Sequence, residues 1–247
     1  SFDFMTDLTN GDLTITVDAI TDLVVLDGET LVSATDANLT SITVGEGVSG
    51  IINQTGGTVT MSTLTLNAGG TLTQSDTGIF NATDVTLGAG ATIQGTGALT
   101  VSGILNLMAG GSISSTSILS GGSVKVGSNS SSATGSFNLA AGATFYTTVN
   151  SGETNDAGSL VVNGDANVSA DAIVMVEVSE NAVVGTDTSY VIIDATGGDI
   201  NAPTMVIDDN DDLTFRASVD GTNLLITASL GNELEALIDE LSDELDT

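Results

Sequence analysis

Three stretches of this chain repeat one another at an interval of about 20 residues, and that interval limits the fold more than any other feature of the sequence. They are Thr63-Leu-Thr-Leu-Asn-Ala-Gly-Gly-Thr-Leu72, Asp84-Val-Thr-Leu-Gly-Ala-Gly-Ala-Thr-Ile93 and Ile104-Leu-Asn-Leu-Met-Ala-Gly-Gly-Ser-Ile113. Each carries two apolar residues two apart, a glycine-bearing corner, a small hydroxyl residue and a further apolar residue. Weaker copies run from Ser41 to Val48, Ser123 to Ser132, Ser136 to Phe145 and Ser159 to Val168. With the second apolar residue as marker, the series is Val44, Leu66, Leu87, Leu107, Val126, Leu139 and Val162, with steps of 22, 21, 20, 19, 13 and 23. The step of 13 marks an irregular or shortened turn.

An apolar spacing of two puts side chains on one face of a strand. Gly, Asn, Ser and Thr at the corners supply positive φ or local backbone hydrogen bonds. A unit this short cannot bury its apolar face alone, whereas stacked units cover one another and pair their backbones about 4.8 Å apart. The expected fold is therefore all-β: a single-stranded parallel β-helix, or β-solenoid, with a dry aliphatic interior. Six or so turns would span roughly 30 Å. The competing arrangement is an antiparallel β-sandwich with strands every 8 to 12 residues or so. The solenoid is preferred because the unit of similarity is the whole rung rather than the strand.

Composition narrows the chemistry. The chain has 247 residues, with 32 acids against 2 bases, a net charge of −30 and no His, Cys or Trp. So acidic a surface repels phosphate backbones and anionic lipid, which argues against nucleic-acid and membrane-surface partners. No imidazole base, thiol nucleophile or disulfide is available, and no zinc or haem site built on His or Cys. Apolar residues make up 40%, so there is a core to bury, and with aromatics at 3% it must come from Val, Ile, Leu, Ala and Thr. The longest apolar run, Ala172 to Val176, is far too short to span a bilayer. The chain opens on Ser1-Phe2-Asp3 and reads as a processed fragment whose targeting segment is gone.

The pattern divides the chain into four regions. Residues 1–40 are less regular, with Leu13-Thr-Ile-Thr-Val17 as an alternating strand and Leu23-Val-Val-Leu26 as a buried one. They read either as an N-terminal cap or as strands that pair with a neighbouring molecule, because an open solenoid end exposes unpaired edges. Residues 41–170 hold the rungs, and the one proline, Pro203, lies beyond them. In residues 171–230 the strands become longer and more apolar, as in Ile173-Val-Met-Val-Glu-Val178, Tyr190-Val-Ile-Ile193 and Leu224-Leu-Ile-Thr227. Residues 231–247 switch to helical period: Leu234, Leu237, Ile238, Leu241 and Leu245 share one face, after Gly231-Asn232 and the early acids Glu233 and Glu235. A free helix of this length is marginal in water, so its apolar stripe should dock on the solenoid or on a neighbouring subunit.

Two segments carry a family resemblance. Ser189-Tyr-Val-Ile-Ile-Asp-Ala-Thr-Gly-Gly-Asp-Ile200 and Leu213-Thr-Phe-Arg-Ala-Ser-Val-Asp-Gly-Thr-Asn-Leu-Leu-Ile226 resemble the C-terminal passenger region of bacterial autotransporter adhesins. That family shows a Tyr-led apolar strand running into Ala-x-Gly-Gly-Ile, then strands closing on Asp-Gly-x-x-Leu. The resemblance implies a right-handed parallel β-helix, export to the cell exterior and a C-terminal β cap that nucleates folding.

Parallel β-helices also host polysaccharide-cleaving enzymes. Lyases of that shape need a base and cations near the uronate, but the only cations, Lys125 and Arg216, lie in different regions. Hydrolases need two carboxylates about 5 to 10 Å apart, a criterion that a chain this rich in acids meets by chance. No catalytic residue or cofactor is therefore assigned. For a metal, Asp208, Asn210 and Asp212 follow the alternating oxygen spacing of calcium loops, without the Gly and distal Glu of an EF-hand. A solvated acidic turn is the competing account. The high charge fits either a saline habitat or divalent bridging between subunits. The expectation is a non-catalytic extracellular solenoid of the cell surface. It would work as a self-associating filament or sheath subunit, or as a monomeric adhesin whose wall meets glycans.

Overall fold

In a computed structural model the described residues are 13–14, 22–25, 30–33, 36–45, 51–74, 77–108, 111–126, 131–133, 135–153 and 156–231. They contain strands and no helix. In chain order these are β1 (Leu13–Thr14), β2 (Asp22–Val25), β3 (Thr30–Ser33), β4 (Ala37–Val44), β5 (Ile51–Gln54), β6 (Thr58–Leu66), β7 (Thr71–Gln74) and β8 (Ile79–Leu87). There follow β9 (Thr92–Gly95), β10 (Ala98–Val101), β11 (Ile104–Leu107), β12 (Ser112–Ile113), β13 (Ser115–Ile118), β14 (Ser123–Val126), β15 (Ser131–Ala133), β16 (Phe137–Leu139) and β17 (Thr144–Val149). The last are β18 (Leu160–Val168), β19 (Ile173–Val178), β20 (Ser189–Gly197), β21 (Met205–Asp208), β22 (Leu213–Asp220) and β23 (Asn223–Leu230).

The pairings resolve into three parallel walls of a β-solenoid. The first stacks β1, β3, β5, β7, β9, β12, β15, the start of β18, and β20. The second stacks the leading halves of β4, β6 and β8, then β10, β13, β16 and the end of β18. The third runs β2, β4, β6, β8, β11, β14, β17, β19 and β21. Nine strands at the usual spacing make that wall about 38 Å tall. The described strands of residues 1–40 already belong to these walls, β1 pairing with β3 and β2 with β4.

Side chains alternate between a dry interior and the outside. Val44, Leu66, Leu87, Leu107 and Val126 lie within the column at zero exposure, stacked rung on rung. The alternation applies to β2 as well, which corrects the reading of Leu23 to Leu26 as a wholly buried strand. Val25 is inside, but Val24 is 54% exposed, because a wall one strand thick has an outer face.

The markers Leu139 and Val162 also fall elsewhere than an even repeat implies. Leu139 pairs with Ile118 on the second wall and Val162 with Ala133 on the first. The corner motif itself has moved. In early turns it links the third wall to the first, through β-turns closed by Gly70 N→Asn67 O at 2.8 Å and Ala91 N→Gly88 O at 2.9 Å. Gly69 (φ 77°) and Gly90 (φ 67°) occupy the third turn position, where a type II turn demands positive φ. Later the same turn, now with Gly121 and Gly142, links the second wall to the third. There β4, β6 and β8 had simply bent across both walls as single strands. The step of 13 is the motif changing corners.

Between the first and second walls the interior is polar. Gln54 and Gln74 stack in register, each 2% exposed. Gln54 Nε2 donates to Gly57 O (2.9 Å) and Ile79 O (3.1 Å), and Gln74 Nε2 donates to Ala98 O (3.0 Å). Ser114, fully buried, donates through Oγ to Gln74 Oε1 at 2.9 Å. Gly95 ends the glutamine stack: a Cβ there would lie 1.9 Å from Gln74 O.

At the C-terminal end the first wall turns antiparallel. β20 pairs with β23, and β23 with β22 across the two-residue turn Gly221-Thr222. Gly221 has φ 62°, as the first central residue of a type II′ hairpin requires. A register shift between Val191 and Ile193 lets Ile192 and Ile193 both point inward, at zero exposure.

Candidate functional surfaces

The outer walls are built from stacked small polar residues. On the third wall one outward row runs Asp22, Ser41, Thr63, Asp84, and the next runs Val24, Thr43, Thr65, Thr86. Side chains link successive rungs: Ser41 Oγ donates to Asp22 Oδ1 (2.5 Å), Gln94 Nε2 to Thr73 Oγ1 (3.1 Å), and the Ile104 amide to Asp84 Oδ1 (2.9 Å). Among the described residues no Asp or Glu is buried. A single described ion pair, Lys125 Nζ to Glu177 Oε2 at 3.8 Å, lies exposed on this wall and is worth little in water.

Lys125 on β14 and Arg216 on β22 are not brought together: the first is on the third wall, the second on the antiparallel extension of the first. The calcium-like residues do share one turn, between β21 and β22, but two of their side chains serve the backbone. Asp208 Oδ1 accepts from the Asn210 amide (3.3 Å), and Asn210 Oδ1 accepts from the amides of Asp212 (3.0 Å) and Leu213 (2.9 Å). Neighbouring Asp209 accepts from the Val178 amide at 2.9 Å, fastening the turn to β19. Among the described residues no three or more His, Cys, Asp or Glu side chains are gathered as a metal centre. The hydrogen bonds of Asp208, Asp209 and Asn210 fasten this turn to its own backbone and to β19.

The cap has one anchored aromatic residue. Tyr190, at zero exposure, donates its hydroxyl to Ser151 O at 2.9 Å, tying β20 to the loop after β17. Burial raises its phenol pKa above the ordinary 10.0, and the carboxylate of Asp156 adds to the rise. The antiparallel cap falls on the two segments that carry the resemblance to autotransporter passengers. No protein-family model matches the chain, and no curated protein matches it. What the architecture shows is a β-solenoid compatible with a β-helix passenger.

One surface was missed in the sequence. Five outward positions on the last three strands of the third wall form an apolar group, with Ile173 paired to Met205, Met175 to Ile207 and Tyr146 to Met175, bordered by Thr144, Thr148 and Glu177. The alternation in Ile173 to Val178 held the signal, since Val174 and Val176 cannot share a face with Ile173 and Met175. Among the described residues no helix is long and apolar enough to cross a membrane. The amphipathic helix read at residues 231–247 lies, from Asn232 onward, outside the described residues.

Proposed function

We propose that the chain is an extracellular structural or adhesive element, a rod that adds head to tail into a cell-surface filament or sheath. The observation that supports it is the third wall. It runs parallel through nine strands, and among the described residues its last strand, β21, has a ladder partner on one side only, β19. A parallel strand with a free edge is a template for another strand, and head-to-tail contacts of this kind extend without closing. Rods built on continuous backbone ladders over an aliphatic column resist unfolding and proteolysis, and walls of Thr, Ser and Asn offer hydrogen bonds to glycans or to neighbouring rods. The proposal includes no catalytic step. Electron microscopy of the purified protein at physiological salt should show filaments. A field of single short rods would overturn the polymer.

The second reading is a monomeric passenger of the autotransporter type, and the β20–β23–β22 cap favours it by ending the first wall in antiparallel pairs. It predicts those single rods, together with glycan binding on the walls.

A further inference from the structure

We propose that the apolar patch on the third wall is covered by the chain's own C-terminal segment, residues 232–247, laid across β17, β19 and β21. The patch gathers apolar residues in outward rows that are otherwise mostly polar, where Val24 and Ile104 are isolated exceptions in earlier turns. The same outward rows carry Thr63 and Asp84, then Thr65 and Thr86, in earlier turns, but Ile173 and Met205, then Tyr146, Met175 and Ile207, in the last ones. Met205 is 51% and Ile207 42% exposed. Single exposed apolar residues need no explanation, whereas a contiguous group marks a contact.

The chain places its end beside this patch. Gly231, the last described residue, donates its amide to Asp212 O at 2.9 Å. Asp212 closes the turn that follows β21, so the segment departs five residues along the chain from Ile207. Its apolar residues, Leu234, Leu237, Ile238, Leu241 and Leu245, fit one helical stripe. A 14-residue helix is about 21 Å long, roughly twice the 10 Å or so across three strands, so the segment is long enough to cover the patch. The segment's seven acids (Glu233, Glu235, Asp239, Glu240, Asp243, Glu244 and Asp246) fall off that stripe at helical spacing, so a contact made through the stripe leaves them toward solvent rather than against Glu177 of the same wall. The covered side chains point away from the edge of β21, so this contact is independent of whether rods polymerise.

The absence of cysteine makes the test clean. Met175→Cys is combined in turn with Leu234→Cys, Leu237→Cys and Leu241→Cys, with Asp239→Cys on the opposite helical face and Thr65→Cys on a distant turn of the same wall as controls. All sites lie on the outer wall or the tail, so the core is untouched, and circular dichroism checks the fold. Under mild oxidation at low protein concentration, at least one stripe pair should form an intramolecular disulfide faster than the controls by on the order of tenfold, given the high effective concentration of a tethered segment. Disulfide-linked dimers in its place would make a second copy the occupant, and rates equal to the controls would leave the patch open. Either result overturns the proposal.

Discussion

Replacing Gln74 by leucine tests whether the polar corner is a true part of the interior. The change keeps most of the volume but removes the Nε2 bond to Ala98 O and leaves the buried Ser114 hydroxyl without its acceptor. The first loss costs about 0.5–1.5 kcal/mol and the stranded hydroxyl about 1–3 kcal/mol, so Gln74→Leu should destabilise by roughly 2–4 kcal/mol. Ser114→Ala leaves Gln74 Oε1 without its hydrogen-bond donor and should cost about 1–3 kcal/mol on the same grounds. The double variant replaces both partners with apolar groups and strands neither, so it should be better than the sum of the singles by about 2–6 kcal/mol, the two stranding costs together. Urea unfolding of the four proteins, followed by circular dichroism, gives the cycle, with midpoint shifts converted through a common slope. Energies that add to within about 0.5 kcal/mol would show that the two side chains do not meet in a dry interior, and the reasoning about this corner would fail.

Tyr190 gives a pH dependence with a definite sign. Its pKa is raised in the folded state, so the stabilisation is fully present below the ordinary value of 10.0 and is lost as pH rises through the folded value. Tyr190→Phe should lose about 1 kcal/mol at neutral pH with its bond to Ser151 O, yet show a shallower fall in urea midpoint above pH 10 than wild type; equal slopes would refute the assignment. At the turn of Asp208, Asn210 and Asp212, calorimetric titration with Ca²⁺ at neutral pH should give no saturable heat, because two of the three side chains already serve the backbone. Saturable heat that disappears in Asp212→Asn would instead establish the site.

The part of the fold legible in the sequence was the part repeated with constant register. Val44, Leu66, Leu87, Leu107 and Val126 mark one wall because each rung spends the same number of residues between strand and corner. Leu139 carries the same local pattern on another wall, since a strand followed by a type II turn closes any corner equally well. Nothing local states which corner it closes. The inward pair Ile192 and Ile193 was illegible for a related reason: strand periodicity of two gives one of them to the outside, and only the bulge against β23 overrules it. Gln54 and Gln74 read as surface residues by type, and their burial follows from carbonyls at the corner that arrive only once the coil is closed. At the candidate calcium turn the spacing of oxygens was visible, but their use by backbone amides three or fewer residues away was not.

Register also explains how a solenoid carries a charge of −30. In a parallel stack every position lies about 4.8 Å from its counterpart above and below, so an acid copied from rung to rung would face its own copy, and like charges directly opposite one another destabilise a sheet. Among the described ladder pairs no acid faces an acid. Asp22 meets Ser41, Asp84 meets Thr63, Glu177 meets Thr148, Asp194 meets Val161, and Asp208 meets Val176. The residues that do recur along the walls are hydroxyls, whose copies can hydrogen-bond instead of repelling. The same rule holds across a head-to-tail joint that continued the third wall in register. Met205 of one rod would then lie beside Asp22 of the next, Ile207 beside Val24 and Asp208 beside Val25, so the joint would add apolar contacts and no pair of like charges. A polymer of so acidic a rod is thereby compatible with its charge, because the repulsion that remains acts between exposed acids across solvent, where salt screens it within about 10 Å.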